Sequence, residues 1–191
     1  VRQFDLQVFH WINRWPDNFN PLFYGLSEGN KWLGVRLVLL AFLIFCIWKP
    51  KYRTAVLIAL ISFPLANELC DVLKNGFKML RPSVEVPDAI IRVNRLTSFG
   101  TASAHSANMM AVAVPFLYYA RPIGFFWLGI AILTGISRIY VGVHYPYQVV
   151  FGWMVGAAMS GILIAGWEHW KKIRAIRKGE PEPELPESEA L

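Results

Sequence analysis

Two histidines and a group of cations stand at the ends of apolar stretches in this chain. Ser137-Arg138 and His144 lie where one apolar segment gives way to the next, in a run that ends at Gln148. Lys74, Lys78 and Arg81-Pro82 form a second polar island, and Ser103-Ala104-His105 a third. Ionisable side chains at a membrane edge are costly to keep and usually functional. Cations neutralise a phosphate group, and arginine adds paired hydrogen bonds to its oxygens. An imidazole can attack phosphorus or move a proton. The three islands together therefore suit phosphate handling at one membrane face.

Each island has a local logic. Lys74 and Arg81 are seven residues apart, so a helix continuing to Arg81 puts both on one stripe, with Lys78 between them. Pro82 disfavours helical geometry at Arg81 and is expected to end that helix there. Ser103, or Thr101 before it, suits a helix N-cap, which points free N–H groups and the positive end of the dipole outward beside His105. Pro146 suits the first position of the following helix, and His144 then lies four residues from Gln148, within reach of a bond to one ring nitrogen. Each island has a plainer reading: snorkelling cations, an ordinary capped helix start, or a histidine in an aromatic belt with Tyr145 and Tyr147. Their coincidence on one side favours a site. Carboxylates and thiolates do not cluster at the islands, so neither a metal nor another cofactor is expected; Asp71 is an auxiliary candidate.

The chain must carry these islands in a membrane. Its 191 residues are 55% hydrophobic with a mean hydropathy of +0.38, more apolar than a soluble domain. The net charge of +6 sits at segment ends, which suits anchoring at a bilayer and argues against nucleic acid. Apolar segments at 32–48, 54–76, 103–120, 123–141 and 147–169 are each about the length that crosses hydrocarbon. Val1 to Trp15 carries charges and amides throughout and does not read as a cleavable signal. With Phe4, Val8, Trp11 and Trp15 at helical spacing it reads as an amphipathic interfacial helix stopped by Pro16, and residues 20–31 as a second interfacial or re-entrant helix. The expected fold is all-α: a polytopic bundle of about five to six transmembrane helices plus the N-terminal interfacial helix. Residues 1–31 form the interfacial part, 32–170 the embedded core, and 171–191 a basic, then acidic and Pro-rich cytoplasmic tail expected to be disordered. Gly152, Gly156 and Ser160 form a row of small residues suited to helix packing. Basic residues between the first and second spans, between the third and fourth, and after the fifth are cytoplasmic by the positive-inside rule. The islands then face outward.

Lys74-x6-Arg81-Pro82, Ser103-x-His105 and Ser137-Arg138-x5-His144 resemble the three-part signature of the type 2 phosphatidic acid phosphatase superfamily, which includes membrane lipid phosphatases and vanadium haloperoxidases. The resemblance runs from the second span to the fifth. It implies a multi-pass lipid phosphatase of a bacterial-type inner membrane, with a membrane lipid phosphate as its partner. It also implies a phospho-histidine mechanism: His144 attacks phosphorus, His105 protonates the leaving oxygen, and Lys74, Arg81, Ser103 and Arg138 hold the phosphate oxygens. Ala102 and Ala104 replace the family's usual Pro and Gly around Ser103. Gln148 stands where the family has an Asp four residues after its histidine. In serine proteases, changing the orienting Asp to Asn costs about 10⁴ in rate because the wrong histidine tautomer is held, and a comparable handicap is expected here, unless Asp71 or Glu68 compensates. The expected activity is hydrolysis of a phosphomonoester or diphosphate lipid, with lipid A 1-phosphate favoured over phosphatidylglycerol phosphate, undecaprenyl diphosphate and phosphatidic acid. Transfer of phosphate to another lipid is one alternative, and a lipid-phosphate-binding protein impaired by Gln148 is another.

Overall fold

The computed structural model describes residues 2–181, and every regular element among them is helical. The N-terminal segment forms α1 (Arg2–Asn13) and α2 (Asn20–Glu28), separated by the Pro16 turn. The five apolar segments become α3 (Leu33–Trp48), α4 (Pro50–Phe77), α6 (Ala104–Tyr119), α7 (Arg121–Tyr140) and α8 (Pro146–Lys178), with a single turn, α5 (Pro82–Glu85), after α4. Proline lies in the first turn of α2, α4, α5, α7 and α8, where its missing N–H costs nothing and its φ is already helical. α4, α7 and α8 are long and apolar enough to cross a membrane. The α2 and α3 regions, bent by 70° at their junction, meet the same test together. Leu37, Ile44, Phe125, Met154 and Ile162 are among the large apolar side chains left on the outside, as suits a bundle solvated by hydrocarbon.

α6 is the central helix and packs against α4, α7 and α8. The row of small residues on α8 explains how closely α8 approaches it. A Cβ on Gly156 would lie 2.1 Å from the Ala107 carbonyl oxygen, and one on Gly152 would lie 2.4 Å from that of Ser103. Ser160 donates to the Ala111 carbonyl at 3.0 Å, which Ser62 of α4 also reaches at 3.0 Å. Three helices are thus tied by hydroxyls that find partners without water.

The connections alternate ends. Short turns at Lys49 and Ala120 join α3 to α4 and α6 to α7, at the end where α8 finishes among its own cations. The opposite end carries the long 86–103 loop, the 141–145 turn and all three islands. α1 organises this end: Asn13, fully buried, donates to the Ile90 and Tyr140 carbonyls (2.8 and 2.9 Å) and accepts from Ile90 N–H (2.8 Å). Arg92 in the loop returns the contact by donating to the Asn13 and Tyr140 carbonyls.

Two expectations change. α4 ends at Phe77, four residues short of Arg81, because Lys78 takes a left-handed conformation (φ 50°) as its C-cap. The Lys74–Lys78–Arg81 stripe therefore does not form. At the other terminus α8 runs on to Lys178, so residues 171–178 are helix rather than tail; residues 182–191 lie outside the described residues.

The α6–α8 contact yields a direct test. Gly156→Val would overpack the interface and destabilise the fold by about 1–3 kcal/mol or more, measured as a lower thermal midpoint in detergent. Gly161→Ala in the same helix, where an added Cβ meets nothing within 4 Å among the described residues, leaves the midpoint unchanged or slightly raised.

Candidate active site

A cavity of about 500 Å³ lies at the island end, walled by Lys74, Arg81, His105, Arg138 and His144 together with Asn67, Ala104 and Asn108. Four helix ends bring them there: the C-terminal turns of α4 and α7, the first turn of α6 and the stretch leading into α8. An apolar cavity of about 220 Å³, lined by Phe42, Val112, Phe116 and Trp127, lies next to it. Leu39 and Phe63 form part of both walls.

His144 is almost completely buried. Its Nδ1 lies 3.0 Å from Gln148 Oε1, and its Nε2 lies 2.7 Å from Arg81 Nη1. A guanidinium can only donate, so Nε2 carries the lone pair and Nδ1 carries the proton. The amide orientation at Gln148 agrees. Its Nε2 donates to the Leu80 carbonyl (2.9 Å), which can only accept, and its Oε1 accepts from Tyr145 N–H (3.2 Å), which can only donate. A flipped amide would place like against like at both contacts. Gln148 thus holds the tautomer that presents Nε2 as a base, and the wrong-tautomer handicap expected from the serine-protease comparison does not arise in this geometry. The charge that an Asp would bring is still missing. Burial, with the Arg81 and Arg138 charges nearby, holds the His144 imidazole well below its ordinary pKa, against the opposing effect of the Gln148 bond.

Arg81 reaches the site from extended backbone before Pro82. Nε donates to the Ser98 carbonyl (2.7 Å), and Nη2 to Ser98 Oγ (3.1 Å) and the Phe99 carbonyl (3.0 Å). Nη1 donates to the Val143 carbonyl (3.1 Å) as well as to His144. All five N–H groups are engaged, so Arg81 fastens the long loop to the histidine turn. Gly100 allows this packing, since a Cβ there would stand 2.7 Å from the Arg81 side chain and 2.8 Å from Gln148 Oε1.

Arg138 is also buried. Its Nη1 bonds Ser27 Oγ and, at 3.2 Å, Glu28 Oε1, while its Nε has no hydrogen-bond partner among the described residues. Its carbonyl accepts from Val143 and His144 N–H, so the same residue shapes the histidine turn. Lys74 pairs with Asp71 at 2.7 Å, and Asp71 is itself reached by Asn67. His105 stands on the cavity wall in the first turn of α6.

The remaining candidates lie elsewhere. Ser103 is fully buried and off the cavity wall. Its Oγ accepts from Ser106 N–H and Ser106 Oγ–H (3.4 and 2.9 Å), so it caps α6, and Ala104 and His105 face the cavity in its place. Lys78 is exposed as a helix cap, and Glu68 is exposed on α4. Sequence reasoning missed Glu28 and Ser27, about 110 residues from Arg138 in the chain, and no spacing rule links them. It also missed Asn67 and Asn108, joined at 3.3 Å. Those two were legible, because Asn67 precedes Lys74 by seven residues and Asn108 follows His105 by three, on the same helix faces.

The PAP2 superfamily model matches residues 54–172, which contain all three islands. An undecaprenyl-diphosphatase of Sulfolobus acidocaldarius is 31% identical over 163 residues, covering 82% of this chain and 75% of the relative. The crystal structure of Aquifex aeolicus LpxE superposes with a TM-score of 0.69 at 25% identity, covering 84% of this chain and 94% of that one. A PAP2-type phosphatidylglycerolphosphate phosphatase from Bacillus subtilis gives 0.68 at 23% identity, over 89% and 87% of the two chains. A motif divided among four helix ends meets here in one cavity, and the chain belongs to the PAP2 superfamily of type 2 phosphatidic acid phosphatases.

Proposed function

We propose that this chain is a membrane lipid phosphatase that hydrolyses a phosphomonoester or diphosphate headgroup through a phospho-histidine. The observation that carries the reading is His144 on the wall of a cavity lined by cations, its Nδ1 held by Gln148 and its Nε2 by Arg81. Nε2 attacks phosphorus as the bond to the lipid oxygen breaks, and His105, which takes up a proton once the anionic headgroup binds beside it, passes that proton to the oxygen. His105 then takes a proton from the water that cleaves the P–N bond. Arg81 gives up its bond to Nε2 as attack begins and turns that N–H to a phosphate oxygen. Lys74, Arg138 and the first N–H groups of α6 complete the charge stabilisation, which is the larger part of phosphoryl-transfer catalysis.

The apolar cavity next to the site supports a lipid substrate, since a hydrocarbon chain can lie along α6 from His105 toward Phe116, about 16 Å at the helical rise. With the Sulfolobus relative named for undecaprenyl diphosphate, a polyprenyl diphosphate ranks ahead of the lipid A 1-phosphate that the sequence favoured. In the membrane α3, α4, α6, α7 and α8 each cross once, and α1 and α2 lie at the outer interface as one unit with the 32–170 core. The site faces the exterior of a bacterial-type inner membrane and the C-terminal segment faces the cytoplasm, by the positions of the basic turns.

Phosphate release from a panel of polyprenyl, lipid A and glycerol lipid phosphates in detergent tests the reading. The intact chain releases phosphate and His144→Ala reduces it to background. Binding without release by the intact chain would favour the impaired lipid-phosphate-binding alternative, and a phosphorylated acceptor lipid would favour transfer. The pH profile supplies a second test. A nucleophile with a depressed pKa stays neutral as pH falls, so release continues through mildly acidic pH. Gln148→Asp adds a carboxylate that favours the imidazolium. It moves the acid limb upward by about one pH unit or more and speeds the step at alkaline pH by roughly tenfold. An unmoved limb would contradict the assignment of His144 as nucleophile.

A further inference from the structure

The Glu28 carboxylate does not belong to the three islands, yet it holds one of their cations. Its Oε1 lies 3.2 Å from Arg138 Nη1, with the two side chains only 13% and 3% exposed. Its Oε2 takes Lys31 of the turn that follows. One carboxylate therefore bridges two cations. The pairing at Arg138 is one-sided, because Nε of the same guanidinium is buried without a partner among the described residues. A structural ion pair in so dry a place normally satisfies the remaining donors as well. This one leaves Arg138 with capacity for an anion that arrives from the cavity.

Glu28 also has somewhere to go. It lines a second, polar cavity of about 530 Å³ with Tyr24, Lys31, Arg92 and Asn94, while Arg138 lines the catalytic one. The C-terminal end of α2 is thus a wall between the two. The chain beyond it is the 3₁₀ turn Gly29–Lys31 and the 70° bend into α3, where a small displacement breaks few helical bonds. From this geometry we infer that Glu28 is an internal anion that competes with the lipid phosphate for Arg138, yielding when substrate binds and returning to help expel inorganic phosphate. It is a specificity-determining residue rather than a catalytic one, and the inference rests on the phosphatase reading of the cavity. The competition penalises weakly charged or loosely seated anions, and the one-sided pairing lets a phosphate engage Arg138 before the carboxylate leaves.

The test is inhibition by inorganic phosphate, the product itself, in the full-length protein in detergent. Glu28→Gln keeps the shape and removes the competing charge. The inhibition constant for phosphate is expected to fall about tenfold, with KM falling in parallel and kcat falling as release slows. Glu28→Asp, one methylene shorter, shifts the constant in the same direction by less. Asp88→Asn removes one negative charge from the same end of the molecule without touching Arg138, and leaves the constant within about twofold. Direct titration with phosphate, followed by ³¹P NMR, reports the same competition without turnover, so failure of the phosphatase reading does not conceal the result. A purely structural Glu28 gives equal or weaker phosphate binding in Glu28→Gln and a lower thermal midpoint. That outcome, or phosphate binding by neither chain, overturns the inference.

Discussion

The hydrogen bond between Gln148 and His144 is the contact on which the rest of the site depends. It decides which ring nitrogen carries the proton, and so which one keeps a lone pair, the requirement of the proposed attack on phosphorus. A neutral amide is usually a poor orienting group because its two ends are interchangeable. Here the Leu80 carbonyl and Tyr145 N–H fix it from opposite sides, and those two groups are held by the chain's return after α4 and by the start of α8. Orientation therefore comes from backbone polarity instead of charge. What the amide cannot supply is a charge to compensate a positive ring, so under the proposed mechanism its handicap lies in the intermediate and not in tautomer selection.

The membrane explains why the polar groups gather at one end. Within hydrocarbon every donor and acceptor must be satisfied internally, and the bundle does this with short hydroxyl-to-carbonyl bonds at Ser62 and Ser160 around Ala111. The glycines of α8 bring its backbone against α6, which places the N-terminal turn of α8 beside that of α6. Ser103 N–H donates to the Gln148 carbonyl at 2.9 Å, so the second and third islands share a backbone bond. The packing of the apolar spans and the geometry of the site are one arrangement.

Much of this was legible in the chain. His144, Gln148, His105, Lys74 and Arg138 sit where helix ends must be, and polarity at the end of an apolar segment is a local signal that needs no knowledge of the fold. The five apolar segments and the small-residue row are equally local. Arg81 does share the cavity with Lys74, but not along one helical stripe, because a left-handed Lys78 ends the helix early. Ser103 was legible as a helix N-cap from its place before an apolar segment, and its hydroxyl does cap α6; a phosphate contact rests on the resemblance alone. Glu28 was not legible, because only the return of α2 against the end of α7 brings it to Arg138. The roles of α1 and the 86–103 loop were hidden for the same reason. Their contacts, such as Asn13 with Ile90 and Tyr140, run between distant parts of the chain.

The most direct measurement is the protonation of the two nitrogens of His144, read by ¹⁵N NMR of histidine-labelled protein in lipid at neutral pH, with His144→Ala to assign the signal. The structure predicts a neutral ring with a protonated Nδ1 and an unprotonated Nε2. A ring protonated on Nε2, or on both nitrogens, would contradict the account.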